Sequence, residues 1–205
     1  MTVVIARRAV ADSGVDARMR MVAGAADMIG RRGVNATSVR ELAKHTGAPL
    51  GSTYHYFPGG KGQLAAEAVR WADDLTARML ARAMAAGPAD GLEAFLGMWR
   101  KKLVDSDFHA GCVVLGVAVE ETADGDSVAR DAAVFAFGNW TSILAGALRE
   151  YGVEPTQALG TATLIVASVE GAVAMCRAER ATQPLDTVGH ELHRVVRSVL
   201  VESAG

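Results

Sequence analysis

Thr37-Ser-Val-Arg-Glu-Leu-Ala-Lys-His-Thr-Gly-Ala-Pro-Leu-Gly-Ser-Thr-Tyr-His-Tyr-Phe57 is the stretch on which the fold turns. Ser38-x-x-Glu41 spells a capping box, in which the hydroxyl and the carboxylate each satisfy an orphan amide at a helix start. Val39, Leu42 and Ala43 follow at helical spacing on one inward face, and Gly47 supplies a residue that tolerates positive φ. A second short helix is predicted from about Pro49 to Phe57, where Pro58-Gly59-Gly60 breaks the chain. Gly51 and Ser52 are small and permit close backbone approach, while Tyr54, His55 and Tyr56 offer hydroxyls and an imidazole. Two short helices around a tight turn, the second with a polar outer face, predict a helix-turn-helix.

Upstream, Met21, Val22, Ala25, Met28 and Ile29 recur at helical spacing, and Gly33 follows Arg31 and Arg32 as a terminator. Downstream, Leu64, Ala68, Trp71, Leu75 and Met79 form one stripe of a long amphipathic helix that stops near Gly87-Pro88. Further helices are predicted at about 90–106, 111–122, 127–151, 155–180 and 185–201, with Pro155 and Pro184 near the starts of the last two. The expected fold is all-α: a three-helix N-terminal head over residues 1–62 and a larger helical body over 63–205, about nine helices in total. An aromatic content of 5% against 50% hydrophobic residues also favours packed helices over a β-sandwich.

Charge divides unevenly along the chain. Residues 1–70 hold 10 Lys/Arg against 5 Asp/Glu, and residues 71–205 hold 11 against 18, so a basic head sits on an acidic body. Such a head suits a polyanion. Cys112 and Cys176 form neither a C-x-x-C pair nor a disulfide framework, which fits a reducing cytoplasm. The segment 158–176 approaches spanning length but is rich in small residues and carries Glu170, so a buried bundle helix is expected and no membrane partner. Enzyme signatures are missing: there is no Gly-x-Ser-x-Gly elbow, and Gly60-Lys61 lacks the rest of a P-loop. His190 and His193 have no third ligand, so no metal and no cofactor are expected.

The 37–57 stretch, preceded by the helix ending at Arg32-Gly33, resembles the TetR family of transcriptional repressors. The junction Phe57-Pro-Gly-Gly-Lys-Gly-Gln-Leu64, one residue longer than that family's usual form, is similar to the LmrA/YxaF-like branch, as are the later Gly111-Cys112 and Glu120-Glu121. The resemblance implies that Arg40 reads bases and that Ser38 meets a phosphate. It implies that Leu50 and Gly51 face base edges, with Ser52 small beside them. It further implies that Tyr54 and His55 contact bases or backbone, and that Tyr56 and Lys61 hold the DNA backbone.

For the body, the resemblance implies two tasks, subunit pairing and sensing of a small molecule. A homodimer is expected through residues about 155–200. Thr161, Ala162, Ser168, Gly171, Ala172 and Ala174 offer small surfaces there, and Leu185, Val188, Leu192, Val195, Val196 and Val199 form an aliphatic seam. Trp99, Phe108, Cys112, Phe137 and Trp140 are the candidate ligand-binding residues, with Glu170 as polar anchor unless Arg177, two turns on, neutralises it. The expectation is a homodimeric repressor that binds a near-palindromic double-stranded operator and is released by a largely apolar effector. The rival reading is a helical carrier whose head no longer reads sequence.

Overall fold

The computed structural model describes residues 2–121 and 127–203, apart from the side chains of residues 2–16, 50, 52 and 53. Nine helices follow in order among the described residues: α1 (Thr2–Arg32), α2 (Val39–Thr46), α3 (Leu50–Tyr56), α4 (Gly60–Met84), α5 (Pro88–Asp105), α6 (Val113–Val119), α7 (Ser127–Glu150), α8 (Pro155–Glu179) and α9 (Gln183–Glu202). The all-α expectation holds, and the boundaries fall where the local chemistry places them.

Ser38 Oγ accepts from the Glu41 amide at 3.1 Å while the Glu41 carboxylate accepts from the Ser38 amide at 3.3 Å, so the capping box of α2 is complete. Gly47 closes the same helix in the left-handed region at φ 67°, which a side chain would resist. Proline occupies the first turn of α5, α8 and α9, where a missing amide costs nothing. The Glu154 carboxylate caps α8 by accepting from the amides of Thr156 and Gln157, and those two bonds hold its pKa below the usual value.

Helices α1–α3 enclose a small core around Met21, Ala25, Met28, Leu42 and Phe57, all buried. The anticipated division after residue 62 falls in the first turn of α4. This helix packs on α1 on one side and on α5 and α7 on the other, so it runs from the head into the body. The body core is built on the α4–α7, α7–α8 and α8–α9 contacts, around Phe95, Leu103, Trp140, Leu144, Leu148 and Ile165.

By length and composition α8 could cross a membrane, yet half of its apolar window is buried inside the fold against α7 and α9. It is a core helix with one free face. Leu159, Leu164, Gly171, Ala174 and Met175 are exposed on that face, whereas Thr161, Ala162 and Ala172 point inward. The α9 seam differs from its expected use. Leu185, Leu192, Val196 and Val199 are buried within the chain and only Val188 and Val195 are half-buried, because α5 and α8 already cover that stripe.

Candidate nucleic-acid interface and adjoining cavities

The helix-turn-helix presents its polar residues outward. Arg40, Lys44 and His45 on α2, and Gly51, Tyr54 and His55 on α3, are exposed. Tyr54 is 59% exposed, which excludes a core role for its ring. Among the described residues Arg40 has neither an ion pair nor a hydrogen-bond partner within the chain, so its guanidinium fork stays available. Tyr56 is half-buried and packs at 5.6 Å from the His55 ring, and Phe57 is buried beneath Arg18, whose guanidinium lies 5.3 Å from the ring centre.

Two of the nominated residues are already engaged. Ser38 spends both its hydroxyl and its amide on Glu41, so a phosphate there would compete with the cap. Lys61 is half-buried and donates to the Asn35 carbonyl at 3.2 Å, which leaves its charge uncompensated by any described carboxylate. The side chains of Leu50 and Ser52 lie outside the described residues.

A cavity of about 340 Å³ lies where the head meets the body. Ala23, Ala26 and Asp27 of α1 form one wall, Trp71, Leu75 and Thr76 of α4 a second, and Met98 and Lys102 of α5 a third. The segment from Ala110 to Val113 completes it. Asp27 is neutralised by Arg31, whose Nε donates to both carboxylate oxygens at 2.9 Å. Lys102 is different: its ammonium lies 4.7 Å from the Trp99 ring centre and donates to the Gly111 carbonyl at 3.3 Å, with no described carboxylate in ion-pair range. Desolvation of that ammonium pulls its pKa below the usual lysine value, although the residue as a whole is exposed.

Behind the Lys102 wall sits a buried polar layer. Neither oxygen of Glu170 meets a hydrogen-bond partner in good geometry, although the Cys112 thiol lies beside it. Burial raises the Glu170 pKa to about 7, against smaller lowering effects from Cys112 and Lys102. Burial likewise holds Cys112 well above its usual value, so it stays a thiol. Trp99 Nε1 is also buried and unpaired.

The six side chains nominated for a ligand therefore do not share one chamber. Trp99, Cys112 and Glu170 lie behind the cavity, and Cys112 lines a separate cleft near Val173. Phe108 lines another cleft with Arg177 and Arg180. Phe137 and Trp140 stack edge to face at 5.7 Å on α7. There the indole nitrogen has no partner in good geometry, yet it lies close enough to help lower the pKa of Asp73 against a larger rise from burial. Asp73 itself, a buried carboxyl that sequence reading passed over, accepts from Asn139 Nδ2 at 2.9 Å.

Arg177 is not the partner of Glu170. Its Nη1 donates to the Gly30 carbonyl at 3.2 Å and its Nη2 to the Arg31 carbonyl at 2.7 Å, so the fork closes the last turn of α1. A helix C-terminus carries partial negative charge and bare carbonyls, which is why a guanidinium settles there. On the other side of the same junction, the Glu120 carboxylate accepts from the amides of Val34 at 3.0 Å and Asn35 at 2.7 Å. Gly30 and Gly111 cross so closely that a Cβ on Gly30 would stand 2.7 Å from the Gly111 carbonyl oxygen. Glu120, Arg177 and these glycines tie the head to the body.

Comparison with known proteins agrees with this architecture. Residues 21–68 match the family described as bacterial regulatory proteins, tetR family, and residues 88–191 match the transcriptional regulator LmrA/YxaF-like C-terminal domain. An uncharacterized HTH-type transcriptional regulator of Mycobacterium tuberculosis is 38% identical over 191 residues, covering 90% of this chain and 96% of the relative. The HTH-type transcriptional regulator LmrA of Bacillus subtilis is 30% identical over 172 residues, covering 83% and 91%. In structure, the regulatory protein TetR from Rhodobacter sphaeroides superposes with a TM-score of 0.78 at 23% identity, over 87% of this chain and 98% of that one.

Proposed function

The chain belongs to the TetR family of transcriptional regulators, with an LmrA/YxaF-like C-terminal domain, and we propose that it is a homodimeric repressor that leaves its operator when a largely apolar effector binds. The family is one of DNA-binding regulators and not of enzymes. Its place of action is the cytoplasm, where the chromosome is. The observation that carries the DNA reading is the exposed Arg40, with no partner among the described residues, on a capped α2 beside exposed Tyr54 and His55 on α3. Arg40 reads a guanine edge, Tyr54, His55 and Gly51 approach bases, and Tyr56, Lys61 and Ser38 meet phosphates.

Dimerisation uses the free face of α8, whose exposed Leu159, Leu164, Gly171 and Met175 have no cover among the described residues, with the outer face of α9 alongside. The effector occupies the cavity between α1, α4 and α5. Trp71, Leu75 and Met98 supply apolar walls, and Lys102 supplies one polar contact. Trp99, Cys112 and Glu170 act behind that wall by setting the position of Lys102. Because α1 belongs to the head, an occupant presses directly on the helix whose last turn Arg177 caps.

The test uses fluorescent operator duplex and the full chain. An effector should release operator over the concentration range in which it quenches tryptophan, and Leu75→Trp, which fills the cavity, should abolish both effects while leaving DNA affinity near its starting value. A compound that saturates the chain and leaves DNA affinity unchanged would refute the switch, since only differential affinity for two states shifts an equilibrium.

A further inference from the structure

A second cleft, of about 540 Å³, opens between the C-terminal end of α1, the C-terminal end of α8 and the loop joining α5 to α6. Arg31, Arg32, Arg177 and Arg180 converge on it, together with His109, and no acidic side chain lines it among the described residues. Carboxylates stand behind these arginines and leave most of their donors free. Arg31 gives only Nε to Asp27, Arg32 lies 3.7 Å from Glu41, and Arg180 gives only Nη2 to Asp107. Arg177 has no carboxylate partner among the described residues; it gives one N–H each of Nη1 and Nη2 to the α1 carbonyls and keeps three more donors. His109 donates from Nδ1 to the Ser106 carbonyl at 3.2 Å, so the neutral ring meets a ligand through Nε2 as the acceptor of a phosphate hydroxyl proton. Phe108, Ala174 and Ala178 add an apolar strip.

The backbone is unusual at the same place. Asp107, Phe108 and Arg180 are the non-glycine residues with positive φ among the described residues, at 50°, 58° and 54°. Each such residue costs of order 1 kcal/mol unless its surroundings hold it. Here the strain aims Phe108 and Arg180 into the cleft, with the Arg180–Asp107 ion pair joining the two strained segments.

We infer that this cleft binds a small organic phosphate, its phosphoryl group held by Arg32, Arg177, Arg180 and His109 and its apolar part lying on Phe108. Arginine forks match phosphate oxygens in pairs, and a cleft with four guanidinium groups and no carboxylate among its described lining residues raises the local concentration of anions. The site is separate from the effector cavity, whose lining shares no residue with it. It joins Arg31 and Arg32 of the head to Arg177 and Arg180 of the body, so an occupied site holds the two in the arrangement described above.

The experiment titrates the full-length chain, without DNA, with phenyl phosphate and with inorganic phosphate, at ionic strength balanced with sodium chloride. Calorimetry should show one saturable site per chain, with phenyl phosphate the tighter of the two probes. Arg32→Gln and His109→Gln are surface changes that leave the fold standing, and each should weaken phenyl phosphate about tenfold, as expected for a lost charge-assisted hydrogen bond. Arg40→Ala on the DNA face and Lys102→Met in the effector cavity should leave binding unchanged. Absence of saturation up to about 10 mM would overturn the site, because weaker binding lies outside the range of specific recognition. Binding that survives Arg32→Gln and His109→Gln together, or that falls with Arg40→Ala, would overturn it as well.

Discussion

Arg177 of α8 donates from Nη2 to the carbonyl oxygen of Arg31 at 2.7 Å, so the last turn of the first helix is capped by a side chain from the far end of the body. The contact joins the first helix of the head to the helix whose outer face is proposed to pair subunits. Together with Glu120 on the Val34 and Asn35 amides, it ties the head to the body.

Arg177→Ala should destabilise the chain by roughly 1–3 kcal/mol, the cost of stranding two half-buried carbonyls and losing charge-assisted bonds. Urea unfolding measures it. Glu120→Gln should lower stability by about 1 kcal/mol, since a neutral amide still accepts one of the two bonds. Both variants should lose part of the effector response at operator. Full response in Arg177→Ala would remove this contact from the coupling.

Arg40→Ala should cost about 1–3 kcal/mol of operator binding and relax base preference at one position of each half-site. Tyr56→Phe should weaken specific and mixed-sequence duplexes about equally. Anisotropy titrations over a range of salt separate the two. Equal loss on both duplexes in Arg40→Ala would reassign that residue to the backbone.

The legible part of the fold was local. Ser38 and Glu41 are three residues apart, Gly47 closes the same helix, and Pro88, Pro155 and Pro184 mark helix starts, so each signal lay within one turn of what it specifies. The role of Arg177 stayed open for the opposite reason. Its acceptors lie 146 and 147 residues away in the chain, and the sequence offered Glu170 seven residues away as a nearer partner. Lys102 was missed because a lysine on an amphipathic helix reads as a solvated face. Trp71 and Leu75 were read as core, and the cavity they line explains why one is half-buried and the other 43% exposed.

Gly171→Glu should give monomers with unchanged helix content. A Cβ at Gly171 meets nothing within 4 Å, so the substitution disturbs no contact inside the chain. Placed on the free face of α8, a charge opposes its own copy across a two-fold axis. Sedimentation reads the mass. A variant that remains dimeric would move the interface off this face of α8.

Glu170→Gln should flatten the dependence of stability on pH. The folded pKa of about 7 stands above the ordinary 4.5, so the folded state holds the proton more tightly than the unfolded one. The sign follows: stability is fullest below about pH 4.5 and falls until about pH 7, by roughly 3 kcal/mol for a shift of this size. Lys102 and the un-ionised Cys112 thiol are the titratable groups that act on it; both favour its charge, and burial outweighs them. Denaturant midpoints at about pH 5 and about pH 8 should therefore differ in the unaltered chain and converge in Glu170→Gln. A midpoint in the unaltered chain that rises with pH over this range would show that Glu170 is stabilised as the anion.

Selection of bound fragments from a random duplex pool probes the DNA-binding reading most directly. Two identical heads related by a two-fold axis should recover an inverted repeat, with half-sites in successive major grooves and binding that weakens steeply as salt rises. Arg40→Ala should select the same repeat with one position in each half-site degenerate. Recovery of unsymmetric or single-stranded ligands, or of no shared sequence, would contradict a dimeric, sequence-reading regulator.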